Sequence, residues 1–302
     1  MPSTRKSTRQ SATKAAAETA VQTVAKAAAT PRRASSFNQG ATPTIAVFNK
    51  AKTPLGVDLD KLIKALQVYV DKHVVPVWGT PAKLVKTTDF QPGAWAIVFL
   101  DDADSPGALA YHDLTPDGLP QSKVFVKTTV DAGELVSVST SHELVEMLVD
   151  PAINLMTTGP DAKAVYAYES ADPVESETFP VNGIPMSDFV YPAYFEAFHA
   201  PGSVKFDHLG KVSKPFEVLK GGYQIVFKGG KWSQTYGSKG KAKSFALEDR
   251  RGHRSEQRAQ GQLKAADAGK IAKAEAKGQA KVAPAGKVSA AQARLLETVA
   301  GG

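Results

Sequence analysis

The chain has 302 residues, with 37 Lys and Arg against 30 Asp and Glu, for a formal net charge of +7. It contains no cysteine, which excludes a disulfide framework, a thiolate metal site and a cysteine nucleophile, so any metal must rest on His, Asp, Glu or water. No run of about 18 apolar residues occurs, and no apolar segment follows the basic start Met1-Pro2-Ser3-Thr4-Arg5-Lys6, so neither a membrane span nor a secretory signal is expected.

The charge is segregated. Residues 1–40 carry seven Lys/Arg and one acid, Glu18, a net of +6. Residues 228–302 carry sixteen Lys/Arg and six acids, a net of +10. The middle, 41–227, carries fourteen against twenty-three, a net of −9. Both ends are rich in Ala, Lys, Arg and small polar residues and poor in large apolar ones, so 1–40 and 238–302 are expected to be disordered basic tails. Between them, 41–237 is long enough to bury a core of its own.

That body opens with a predicted strand over Thr44–Phe48. Asp58 is a predicted helix N-cap, followed by Leu59, Leu62, Ile63, Leu66 and Val70 at helical spacing, and Pro76 is expected to close the helix. Strands are predicted at Lys83–Thr87 and Trp95–Leu100. The second is an almost continuous apolar run and is therefore expected to be central in its sheet. Ala108–His112 and Val124–Lys127 read as a strand pair around Thr115-Pro116-Asp117-Gly118. A helix is predicted over Ala132–Val149 and a strand over Ala164–Glu169. Two hairpins follow, Phe179–Met186 around Asn182-Gly183, and Tyr223–Phe227 with Lys231–Tyr236 around Gly229-Gly230. Strands and helices do not alternate regularly, so the fold class is α+β rather than doubly wound.

The predicted helix at 132–149 carries His142-Glu143-Leu144-Val145-Glu146. His142 and Glu146, four residues apart, share a helix face, the spacing by which one helix offers two ligands to one ion. Glu143 lies about 100° further round, where it can polarise a metal-bound water. Three polar side chains on a mainly apolar helix are costly to bury unless paired or bound to metal. The competing expectation is a solvated face of His142, Glu143 and Glu146 opposite a stripe of Leu144, Val145, Leu148 and Val149.

Ser141–Pro151 (Ser-His-Glu-x-x-Glu-Met-x-x-Asp-Pro), Tyr168-Glu169-Ser170-Ala171-Asp172-Pro173-Val174-Glu175 and Ser187–Pro192 together resemble a family of bacterial and bacteriophage proteins. Ala110–Asp113 and Pro76–Gly79 fit the same pattern, and the resemblance spans 44–228. The family's helix resembles the active-site helix of zincin-type metallopeptidases. The resemblance implies a zincin-like mixed sheet, peptide or amide hydrolysis, His142 as a metal ligand and Glu143 as general base. Glu146 stands where typical zincins place a second His. A one-histidine, carboxylate-rich site is harder and suits Mn, Fe or Ca as well as Zn.

A catalytic zinc needs a third ligand, and Asp172 and Glu175 are the first candidates, with Glu169 next. Asp150 is expected to shape the helix end before Pro151. His112 is a candidate for metal or substrate, weighed against a structural pairing with Asp113 or Asp117. Tyr191 and Tyr194 are read as core packing ahead of oxyanion stabilisers. The two basic tails form a footprint for sequence-independent contact with nucleic acid or another polyanion. They sustain a second expectation, a non-enzymatic structural protein of a virion or nucleoid. The expected location is accordingly cytoplasmic or virion-associated.

Overall fold

The chain divides into two units, Met1–Gln39 and Gly40–Gly302. The computed structural model describes residues 42–104 and 108–237 and the strand at 243–247, all in the second unit. The tail expectations for 1–40 and for 248–302 lie outside the described residues.

Strand β1, Thr44–Asn49, sits between β2, Lys83–Lys86, and β3, Trp95–Leu100, parallel to both. β3 also pairs in parallel with β5, Pro120–Phe125, which pairs antiparallel with β4, Ala110–Leu114. The order is β2-β1-β3-β5-β4, a mixed sheet with its single antiparallel strand at one edge. β3 is central, as its unbroken apolar run requires. Strand alternation divides the faces: Ile45, Val47, Ile97 and Phe99 enter the main core, while Ala46, Phe48, Ala96 and Val98 form a smaller cluster on the other side.

Helix α1, Leu59–Tyr69, begins at Asp58, whose side chain accepts from the Lys61 amide at 2.9 Å. Its Leu62, Ile63, Leu66 and Tyr69 are buried against the sheet. Pro76 does not end this helix. A π-helical turn at Val70–Val74 carries the chain into a further turn, α2, Val75–Trp78, where proline falls in the first turn and lacks only an amide that needs no intrahelical partner. Gly79, at φ 68°, closes it.

The helix predicted over 132–149 is present as α4, Val136–Val149, and a separate short helix, α3, Val126–Asp131, precedes it. Gly133, at φ 79°, breaks them apart, because a left-handed residue cannot continue a right-handed helix. The strand pair before them lies at 110–114 and 120–125 rather than 108–112 and 124–127, since Val126 already turns into α3.

α4 packs on β4 and β5 and on β9, Ile184–Ser187, which forms a hairpin with β8, Thr178–Val181. Asn182 and Gly183 turn that hairpin with φ 50° and 77°. The remaining sheet is antiparallel, with order β12-β11-β10-β7-β6. It contains β6 (Met156–Thr158), β7 (Ala164–Ala167), β10 (Tyr223–Lys228), β11 (Lys231–Tyr236) and β12 (Lys243–Leu247). β12 pairs with β11 and lies beyond residue 237, within 238–302. No described helix is long and apolar enough to cross a membrane.

Candidate metal centre

α4 has no solvated face. Every residue from Val136 to Val149 except Val138 is buried, including His142, Glu143 and Glu146 at 8%, 7% and 3% exposure. This overturns the expectation that these three line a wet helix surface. The helix lies between the mixed sheet on one side and the β8–β9 hairpin on another, so its polar side chains must be satisfied within the protein.

Two flanking elements meet that demand. On the sheet side, β4 presents alternate residues to α4. Ser122, the register partner of His112, donates to the Glu143 carbonyl at 3.5 Å, which marks this face as the one lying on the helix. His112 therefore points at the helix acids: its Nδ1 is 3.2 Å from Glu143 Oε2 and 3.7 Å from Glu146 Oε2. Neither Asp113 nor Asp117 is its partner through those atoms. The signal in sequence was the two-residue alternation through Ala110, His112 and Leu114, which assigns His112 to one face without saying what lies on it.

On the far side, a 3₁₀ turn, Asp172–Val174, brings Asp172 Oδ1 to 3.1 Å from His142 Nε2. Glu146 Oε1 is 3.6 Å from the same imidazole nitrogen and accepts from the backbone amides of Ala171 and Asp172 at 3.1 and 3.3 Å. The turn is itself held from behind. The Leu219 amide donates to the Pro173 carbonyl at 3.0 Å, and Gly222 lies so close that a Cβ there would meet the Pro173 and Asp172 carbonyls at 2.4 and 2.6 Å.

Two groups of donor atoms result, each lying within 4.8 Å of one another: His142, Glu146 and Asp172, and His112, Glu143 and Glu146. The residues expected at 142, 146 and 172 are thus brought together. Glu175, the other expected ligand, is half-buried one turn beyond Asp172 and belongs to neither group, because the 3₁₀ turn carries it past the cluster. Glu169 is buried nearby, within electrostatic reach of Glu146 and Asp172.

The electrostatics are those of crowded acids in a dry site. Burial, then the Asp172 charge, pushes the Glu146 carboxyl well above its usual range. Burial raises Asp172 as well, against the opposing pull of His142. Burial alone would lower the His142 imidazole, but Glu146, Asp172 and Glu143 outweigh it and hold the ring well above its usual value. No Lys or Arg appears among the partners of these groups in the described residues. A narrow crevice reaches Asp172 and Glu169 from the side of β7 and β10, walled by Tyr166, Tyr194, Phe195 and Tyr223.

Other expected residues settle elsewhere. Asp150 closes α4 by accepting from the Asn154 and Leu155 amides at 2.9 and 3.1 Å. Ser141 accepts from the Ser187 amide at 2.8 Å and fastens α4 to β9. Tyr194 is buried in a second core cluster with Phe195 and Phe206, and the Tyr191 hydroxyl is 3.1 Å from His208 Nδ1. Comparison with protein-family models, with curated proteins and with solved structures returned no match.

Proposed function

We propose that the domain is a zincin-like, metal-dependent hydrolase of peptide or amide bonds. The observation that carries this reading is the burial of His142, Glu146 and Asp172 side by side with no Lys or Arg paired to them among the described residues. Several carboxylates confined together in low dielectric either stay protonated or gather a cation. The donor spacings favour the cation. Ligands held about 2.0–2.2 Å from one tetrahedral ion stand roughly 3.3–3.6 Å apart. The His142 separations of 3.1 and 3.6 Å bracket that range, and the longer one exceeds a hydrogen bond. One imidazole nitrogen and two carboxylate oxygens suit Zn, with Mn, Fe or Ca also compatible with so hard a set.

A divalent cation at this position supplies Lewis acidity and lowers the pKa of a coordinated water to about 7. The protein's own groups do the rest. Glu146, oriented by the amides of Ala171 and Asp172, holds a fixed ligand oxygen beside His142. Glu143, steadied by His112, accepts the proton of the attacking water and passes it to the leaving amine. β4, at the edge of the mixed sheet beside α4, presents an outer backbone edge on which an extended peptide can lie as a further strand.

Elemental analysis of the full chain purified from metal-supplemented expression tests the reading directly. Bound metal at near-neutral pH is expected, abolished in Glu146→Ala and kept to at least one equivalent in Glu143→Gln. A metal-free wild-type protein sinks the hydrolase reading. The second reading, a structural protein of a virion or nucleoid that binds polyanions, draws on the charge segregation: net +6 over 1–40 and +10 over 228–302, against −9 between them.

A further inference from the structure

The two donor groups in the metal centre are not alternatives for a single ion. They share Glu146, and they share it one oxygen each. Glu146 Oε1 faces His142 and the Asp172 turn, while Glu146 Oε2 faces His112. Each side then adds one imidazole and one terminal carboxylate: His142 with Asp172 on one side, His112 with Glu143 on the other. The result is a pair of three-donor sets joined by one carboxylate, with a different oxygen nearest each imidazole.

We infer that this centre holds two divalent cations, bridged by the Glu146 carboxylate, with His112 and Glu143 completing the second site. The inference rests on the metal-centre reading above for the His142 side and adds a site to it. Three observations converge on the addition. First, His112 is fully buried and its Nδ1 lies between two acid oxygens at 3.2 and 3.7 Å. The longer distance is beyond a hydrogen bond, and the pair matches the spacing of ligands around an ion about 2.0–2.2 Å from each.

Second, the charge points the same way. Glu143, Glu146 and Asp172 are buried together, and their ion pairs among the described residues are with His112 and His142. One divalent cation leaves one of the three carboxylates uncompensated in a dry interior, at a cost of several kcal/mol on the order of the buried-ion penalty. A second cation removes that excess.

Third, the elements that carry the two terminal sets are independent: β4 supplies His112 and the 3₁₀ turn supplies Asp172, with α4 between them. Ligands brought to one helix by two separate elements can hold a pair of ions about 3.5–4 Å apart, with Glu146 between them. With both sites filled, Glu143 is a ligand rather than a proton acceptor.

The test uses the full chain stripped with a chelator and reloaded with Mn(II). Two equivalents are expected to bind, with the low-temperature electron paramagnetic resonance of the loaded protein showing the multiline signal of an exchange-coupled pair. His112→Ala is expected to bind one equivalent and show only an isolated-ion signal, and Asp172→Asn likewise. A wild-type protein that binds one equivalent, or two without magnetic coupling, overturns the bridged pair. One equivalent leaves the single-cation reading intact, whereas none removes both. The wild-type spectrum alone decides the matter if a variant fails to fold.

Discussion

Glu146 stands between two imidazoles, and the backbone amides of Ala171 and Asp172 fix one of its oxygens. The proposed hydrolysis gives its neighbour Glu143 a different task, and the two should separate in experiment. Glu143→Gln keeps the shape of the side chain and removes its basicity. It is expected to lower hydrolysis of a peptide library by about 10²–10⁴-fold, measured as kcat/KM, while the His142 site still binds metal. A second residue-scale prediction concerns Asp188, which is fully buried beside the equally buried Asp207. Burial and then the Asp207 carboxyl push Asp188 up to about 8 from 3.8. A carboxyl raised on folding favours the folded state fully below its unfolded value, and that contribution is lost as pH rises through the folded one. Stability should therefore decline between about pH 4 and pH 8 through this group. Asp188→Asn, which cannot ionise, should flatten that decline in denaturant titrations at pH 5, 7 and 9. An unchanged slope would show that the Asp188 carboxyl does not govern the decline. His142, Glu146 and Asp172 were legible because helical spacing and an acidic turn are local patterns. His112 was legible only as a face assignment, since its partners lie 31 and 34 residues further along the chain.

At the scale of elements, the ligand geometry depends on parts that touch no ligand directly. The turn that carries Asp172 is backed by Gly222, where an added Cβ would strike the Pro173 and Asp172 carbonyls. Gly222→Ala must displace the turn, and with it Asp172 and the amides that hold Glu146. It is expected to weaken metal binding at least about tenfold by competition with a chelator, at a stability cost of roughly 1–3 kcal/mol from overpacking. Undiminished affinity would show that the turn is not clamped from this side. The breaks between elements explain where the sequence reading was imprecise. Gly133 separates α3 from α4, although the residues on both sides are compatible with one helix, because glycine near a predicted helix start does not announce a left-handed conformation. Pro76 was expected to stop a helix, but the π turn before it shifts the chain so that proline falls where its missing amide does no harm. Both hairpin turns with paired residues at positive φ, Asn182-Gly183 and Gly229-Gly230, were readable, because the turn chemistry is local.

For the whole molecule, the segregation of charge gives the polyanion reading its own experiment. β12 pairs with β11, so a deletion at 237 would strip a strand from the sheet and expose its edge; the cut belongs after Leu247. A chain limited to 41–247 is expected to lose salt-sensitive DNA binding if the terminal segments carry it, read by titration at two ionic strengths. Equal binding with and without those segments would set the polyanion reading aside. By itself the sequence determined the α+β class, the central place of Trp95–Leu100 and the helix bearing His142, Glu143 and Glu146, because hydrophobic period and turn residues act over a few positions. It also fixed the charge asymmetry. Only the tertiary structure decided that α4 is buried on all sides, that His112 rather than Glu175 faces its acids, and that Glu146 offers one oxygen to each flank. Those facts depend on which strand edge and which turn close over the helix. Chain segments far apart in sequence settle that by burying apolar surface together, and no local pattern records it.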